Sequence, residues 1–128
     1  MVEVLVEENC GNAPKQVVIK DWLVSLATGE TDEVISQLAE DAQWDVAGSE
    51  TVEGMTDISA VVSELTALPI STLVISNILS HGKWVAADGS LKLQDGREVR
   101  FAHFVTFSGH SRKAKISEIT TYTVEEAV

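Results

Sequence analysis

The sequence has a single cysteine, Cys10, which rules out an internal disulfide, and nothing beside it marks a nucleophile. Positive charge is scarce. Nine lysines and arginines stand against twenty aspartates and glutamates, a formal net charge of -11. Nucleic-acid phosphates must be met by Lys and Arg, so nucleic acid is not an expected partner. The acidity reads as a solubilising surface. Six of the nine basic residues fall between Lys92 and Lys115, where the rims of hairpins are expected. No apolar run approaches the roughly 20 residues that a membrane helix needs. The first eight residues lack the basic cluster of a secretory leader, so a cytoplasmic protein is expected. The three histidines are too scattered for a metal site, and no motif asks for a cofactor. There is no internal repeat and no low-complexity segment.

What remains is 128 residues of ordinary apolar content, enough for one domain with its own core. That domain is expected over 12–124, with 1–11 as a tail or edge strand and 125–128 as a tail. In the first stretch Val2, Val4 and Val6 alternate with Glu3 and Leu5 until Asn9-Cys10-Gly11 breaks the pattern.

Three helices follow from periodicity and punctuation. Helix one is predicted over Ala13 to Thr28, with Asn12 as N-cap, Pro14 in the first turn and Gly29 at the stop. Its stripe is Val18, Trp22 and Leu26, widened by Ile19 and Leu23. A shorter helix over Asp32 to Glu40 is capped by Thr31, with Val34, Ile35 and Leu38 inward. Ala42 to Val46 then reads as a short strand, ending in the loop Ala47-Gly48-Ser49. The third helix, Asp57 to Leu68, follows Thr56 as cap, buries Ile58, Val61, Val62 and Leu65, and ends at Pro69.

Four β segments complete the chain: Thr72 to Leu79, Trp84 to Leu93, Arg97 to Ser108 and Lys113 to Thr123. His81-Gly82, Asp95-Gly96 and Ser108-Gly109 separate them. Helices first and an antiparallel sheet last is the α+β class. A long curved antiparallel sheet, with three N-terminal helices on its concave face, makes a cone able to enclose a small molecule.

The segment Arg100 to Phe107 organises this sheet. Side chains alternate along a strand, so Phe101, His103, Val105 and Phe107 share one face. One titratable ring thus points the same way as three large apolar side chains. If Asp95-Gly96 is a two-residue turn, Gln94 pairs with Arg97, Asp88 falls opposite His103 and Trp84 opposite Phe107. Opposed side chains lie about 5 Å apart at Cβ, so Asp88 would orient the ring and raise its pKa. A bulge at Ala87-Asp88-Gly89 would reverse the face.

This order of elements, over roughly Pro14 to Tyr122, resembles the nuclear-transport-factor-2-like superfamily with its cystatin-like fold. That group includes ketosteroid isomerases and SnoaL-like polyketide cyclases. Ketosteroid isomerases carry a segment similar to Ala39-Glu40-Asp41-Ala42, then a strand ending in a general-base aspartate before a Gly-Ser loop. Asp45 takes that position, although the strand before it is one residue shorter. The family's oxyanion-hole aspartate, four residues before a phenylalanine, corresponds to His103 before Phe107. Its oxyanion-hole tyrosine, seven residues before the glycine that ends helix one, corresponds to Trp22 before Gly29. In members resembling limonene-epoxide hydrolase a last-strand aspartate stands at the position of Thr121, which argues against that chemistry here.

The resemblance and the strand-face argument together predict a pocket lined by Trp22, Asp45, Trp84, Asp88 and His103. Asp45 or His103 would act as base next to a carbonyl, with Trp22, Trp84 and Asp88 binding the ligand. Isomerisation, cyclisation and lyase chemistry all fit, on a small apolar or carbonyl-containing molecule. The alternative is a non-catalytic ligand-binding or dimerisation domain with a vestigial pocket. A lone histidine on an apolar strand face is more often a satisfied core residue than a catalyst, and tryptophans are more often core than ligand contacts. The other sheet face, read as carrying Val85, Leu91, Phe104 and Ile119, suggests a homodimer.

Overall fold

The computed structural model describes residues 2–8 and 11–126. Cys10 and the break expected at Asn9-Cys10 lie outside the described residues. The elements are β1 (Glu3–Val6), α1 (Pro14–Thr28), α2 (Thr31–Ser36), β2 (Leu38–Val46), β3 (Thr51–Glu53), α3 (Met55–Thr66), β4 (Ile70–His81), β5 (Trp84–Leu93), β6 (Glu98–Phe107) and β7 (Ile116–Glu126). All seven strands form one sheet in the order β1-β4-β5-β6-β7-β2-β3. The helices cover its concave face, where Ile19, Trp22 and Leu23 of α1, Val34 of α2, and Ile58 and Val62 of α3 are buried against it. Among the described residues no helix is long and apolar enough to cross a membrane.

The sheet is mixed, where an antiparallel one was expected. β1 runs parallel to β4 and β2 runs parallel to β7; the partners of each pair are separated in sequence by several elements, as a parallel crossover requires. Strand irregularities between Ile75 and Asn77 and between Leu38 and Gln43 bend it. At Gly89 the backbones of β4 and β5 approach so closely that a Cβ would sit 1.9 Å from the Val74 carbonyl oxygen.

Several local expectations shift by a residue or two. The N-cap of α1 is Ala13, without a side-chain cap, while the Asn12 N–H reaches Gln16 Oε1. α2 stops at Ser36, where Lys115 Nζ donates to the Ser36 carbonyl at 2.8 Å and Ile116 N–H to that of Gln37. Leu38 and Glu40 therefore belong to β2. Thr31 shares a hydrogen bond with Thr66 instead of capping its own helix. Gly54, in the left-handed region, precedes α3, so Thr56 lies inside the helix. The short strand β3 was not foreseen, and β7 runs on through Glu125 and Glu126.

The decisive difference is a turn. Leu93 N–H donates to the Arg97 carbonyl, Gly96 N–H to that of Leu93, and Gly96 has φ 93°. The hairpin loop is therefore the three residues Gln94-Asp95-Gly96, with glycine in the left-handed position such loops favour. Asp95 adds a carboxylate contact to Arg97 N–H and Nε. One extra loop residue moves every pairing along β5 by one, and a one-residue slip exchanges the faces.

Candidate functional site

His103 lies where the alternation of β6 puts it. Phe101, His103, Val105 and Phe107 all face the core, and His103 is only 6% exposed. Its cross-strand row is Ile78, Ala87, His103, Thr121 and Val46. Ala87 stands opposite the ring, and Asp88 is paired with Ala102 on the convex face. There Asp88 accepts from Asn77 Nδ2 at 2.8 Å, so it neither orients His103 nor charges it. The same slip places Trp84 opposite Thr106, half exposed and stacked on His81 outside the cone. Neither residue lines the interior.

Asp45 is not on the interior face either. Inward residues of β2 are Ala42, Trp44 and Val46, and Asp45 falls in the convex row with Thr120 and Phe104. Its carboxylate accepts from Thr51 Oγ1 at 3.2 Å. Alternation along β2 is the reason, since successive side chains point to opposite faces. Val46 holds the inward place.

Trp22 is buried beside His103, with ring centroids 5.7 Å apart in an edge arrangement. Its indole N–H is spent on the Val34 carbonyl at 3.2 Å. It packs the histidine and has no donor left for a ligand. Thus of the five predicted residues only His103 and Trp22 meet.

The polar partner of His103 is Thr121, directly across β6–β7. The Thr121 hydroxyl lies 2.8 Å from His103 Nδ1 and 2.8 Å from the indole nitrogen of the buried Trp44. The Phe101 ring closes another side at 5.2 Å between centroids. Burial holds the imidazole well below its ordinary range, pushed down from 6.5 to about 4, so the ring is neutral at pH 7.

His103 and Thr121 border a cavity of about 70 Å³. Leu23, Leu26 and Ala27 of α1 roof it, Leu65 and Leu68 close its flank, and Ile70, Leu73, Leu91 and Phe101 form its floor. Leu68, 39% exposed, sits on its rim with the exposed Thr123. From the sequence the aliphatic wall residues Leu23, Leu26 and Leu65 read as core and Leu91 as part of the outer face. Their signal was the spacing of Leu23, Leu26 and Ala27 on one helix face, a pattern that core and pocket share. Among the described residues no group of three or more His, Cys, Asp or Glu side chains converges as a metal site. The arrangement offers shape, apolar surface and one hydrogen-bonding ring nitrogen.

No family profile and no curated protein matches the sequence. Solved structures do match. An NTF-2 like protein of unknown function from Burkholderia xenovorans LB400 superposes with a TM-score of 0.74 at 16% identity, over 90% of this chain and 86% of that one. A protein described as a candidate ketosteroid isomerase from Kribbella flavida DSM 17836 gives 0.71 at 18% identity, over 93% and 84%. The epoxide hydrolase/cyclase-like enzyme SalBIII, of pyran ring formation in the polyether salinomycin, gives 0.69 at 14% identity, over 86% and 90%. At such identities the likeness is one of fold, and this scaffold carries unrelated functions. The chain has the nuclear-transport-factor-2-like fold, an α+β cone with a neutral histidine on the wall of its cavity.

Proposed function

We propose that the protein binds a small, neutral, largely apolar molecule in the cavity between α1, α3 and the sheet. The observation that carries this reading is a single polar ring, His103, on the wall of a cavity otherwise lined almost wholly by aliphatic and aromatic side chains. Such sites use apolar surface for affinity and a few polar groups for orientation. Proton abstraction next to a carbonyl fits less well. Asp45 faces the opposite side of the sheet and bonds to Thr51, away from the cavity.

The volume limits the ligand. An engineered cavity of about 150 Å³ accommodates benzene, so about 70 Å³ takes about three heavy atoms, with the rest of a small ligand at the open rim by Leu68 and Thr123. Butanone is a suitable probe. Its titration should shift the His103 ring protons and the methyl groups of Leu23, Leu65 and Leu73. The variant Leu65→Trp, which fills the space, should abolish those shifts. Shifts that persist in Leu65→Trp, or that never occur in the wild type, would sink the reading.

The convex face supports a second part of the proposal, a homodimer. Its surface is not the set expected from sequence. Val85 and Ile119 are buried inside and Leu91 lines the cavity, because the register places them there. Phe104 remains, joined by Leu79, Trp84, Tyr122 and Val124, all exposed. Two shallow depressions flank Leu79 and Phe104, one towards Trp84 and one towards Asp88. Projections and hollows thus sit side by side on one patch, as a twofold contact requires. A second copy of the chain fits it best, since the rows Leu79-Ala86-Phe104-Thr120-Asp45 and Asn77-Asp88-Ala102-Tyr122 hold only two charges, Asp45 and Asp88, in a chain of net -11. A one-chain mass by light scattering at high protein concentration would remove this part.

A further inference from the structure

The bonding around Thr121 defines what a ligand of this cavity must offer, an inference that rests on the binding reading above. An indole N–H can only donate, so the Thr121 oxygen accepts from Trp44. A buried hydroxyl then has one hydrogen to place. Among the described residues the other side-chain group within bonding distance is His103 Nδ1, at 2.8 Å. The hydroxyl therefore donates to Nδ1, which must be the bare nitrogen of the neutral ring. The ring hydrogen is left on Nε2. Nε2 has no bond to the described protein groups, yet no buried side-chain nitrogen or oxygen among them is sealed without a partner. Nε2–H thus opens on the cavity that His103 lines. Trp22 and Phe101 pack against the ring, at 5.7 and 5.2 Å between centroids.

We infer that Trp44 and Thr121 are positioning residues that lock His103 as the Nε2–H tautomer, and that the cavity thereby selects neutral oxygen acceptors, of the ketone, ether or ester class, over apolar molecules of the same shape. Both ends of the relay are defined: a donor that cannot accept begins it, and a donor facing the ligand ends it. A cation finds no carboxylate among the cavity's lining residues. An anion would leave its hydration for aliphatic walls with one neutral bond to replace it.

Two measurements separate this inference from the binding reading. The first needs no ligand: long-range proton–nitrogen correlation spectra of histidine-labelled protein at pH 7. The expected result is hydrogen on Nε2 and none on Nδ1. Hydrogen on Nδ1 overturns the inference whatever the cavity binds. Thr121→Ser, which keeps the hydroxyl, should preserve the tautomer, and Thr121→Val should release it into a mixture. A Thr121→Val protein that keeps the pure Nε2–H form would show that the relay is not the lock. The second compares butanone with 2-methyl-1-butene, which replaces the carbonyl oxygen by a methylene. Wild type should prefer the ketone by about tenfold, the worth of one hydrogen bond. Equal binding of both overturns the selection and leaves the binding reading standing. Binding of neither overturns both.

Discussion

Thr121 and His103 are direct cross-strand neighbours on β6 and β7, and the Thr121 hydroxyl lies 2.8 Å from His103 Nδ1. That hydroxyl also receives the Trp44 indole N–H. One side chain of a common, uncharged type therefore completes the bonding of two large buried rings. Its removal should be costly. Thr121→Val leaves the Trp44 N–H and His103 Nδ1 without partners, and each buried unsatisfied group costs about 1–3 kcal/mol. A loss on the order of 3 kcal/mol is expected by chemical denaturation, against under about 1 for Thr121→Ser. Equal stability of Thr121→Val and wild type would show that the relay contributes nothing.

The depressed pKa of His103 makes stability depend on pH, and its sign follows from proton counting. The folded ring titrates at about 4 and an unfolded one near 6.5. Between those values the unfolded chain binds more protons, so acid favours unfolding. Stability is unaffected above about pH 6.5 and falls as pH drops towards 4, at about 1.4 kcal/mol per pH unit. The full loss is on the order of 3 kcal/mol. Urea midpoints of wild type and His103→Leu should diverge in their pH dependence through this window, with the variant flatter. Parallel profiles would mean that the ring is solvated in the folded state.

The course of the chain was largely legible in the sequence, and the faces of β5 and β2 were not. Alternation along Arg100 to Phe107 gave the inward set directly, because a half-buried strand leaves a period-two record. Gly29, Pro69 and the turn dipeptides marked most boundaries. What failed was the count of residues between strands. Asp95-Gly96 is compatible with a two-residue or a three-residue loop, and the choice decides whether Ala87 or Asp88 meets His103. Asp45 failed as well, because alternation along β2 gives the inward place to Val46 and the convex one to Asp45. The short strand β3 left too few residues to show a period. The sequence marks Thr121 only as the place of a last-strand aspartate in members resembling limonene-epoxide hydrolase. Its bond to His103 was not legible, since a buried threonine that bonds a histidine looks like any strand threonine.

Gly89 is where the sheet tolerates no side chain. A Cβ there would stand 1.9 Å from the Val74 carbonyl oxygen and 3.0 Å from the Phe101 ring. Backbone would have to move, and overpacking of this kind costs about 3 kcal/mol or more. Gly89→Ala should therefore lower the thermal midpoint sharply or prevent soluble expression. Gly109→Ala is the control, since nothing lies within 4 Å of a Cβ there and its φ is not positive. A Gly89→Ala protein as stable as the control would contradict the close approach of β4 and β5.

Asp45 separates the two functional classes. Its carboxylate lies on the convex face and bonds to Thr51, away from the cavity. Asp45→Asn should leave butanone affinity unchanged, while His103→Leu should weaken it by about tenfold through loss of the one polar contact. Any turnover of an enolisable ketone that disappears in Asp45→Asn would restore the aspartate as a base and require it to reach the cavity.

The convex face makes the last prediction. Leu79 is 68% exposed, Phe104 54% and Val124 65%, and the Phe104 and Tyr122 rings meet edge to face at 5.9 Å. Aromatic residues clustered on an exposed sheet face are costly in water and favour association. Phe104 has the small residues Ala86 and Thr120 as its cross-strand neighbours, so among the described residues it stays exposed despite the Tyr122 contact. Phe104→Glu would place a carboxylate between the two hollows, facing its own copy across the twofold axis. The change removes little buried surface within the fold, so thermal stability measured on dilute protein should hardly move. Light scattering should find two chains in the wild type and one in Phe104→Glu. If the variant remains a dimer, the contact lies elsewhere, and the exposed row from Leu79 to Thr120 then needs a different occupant.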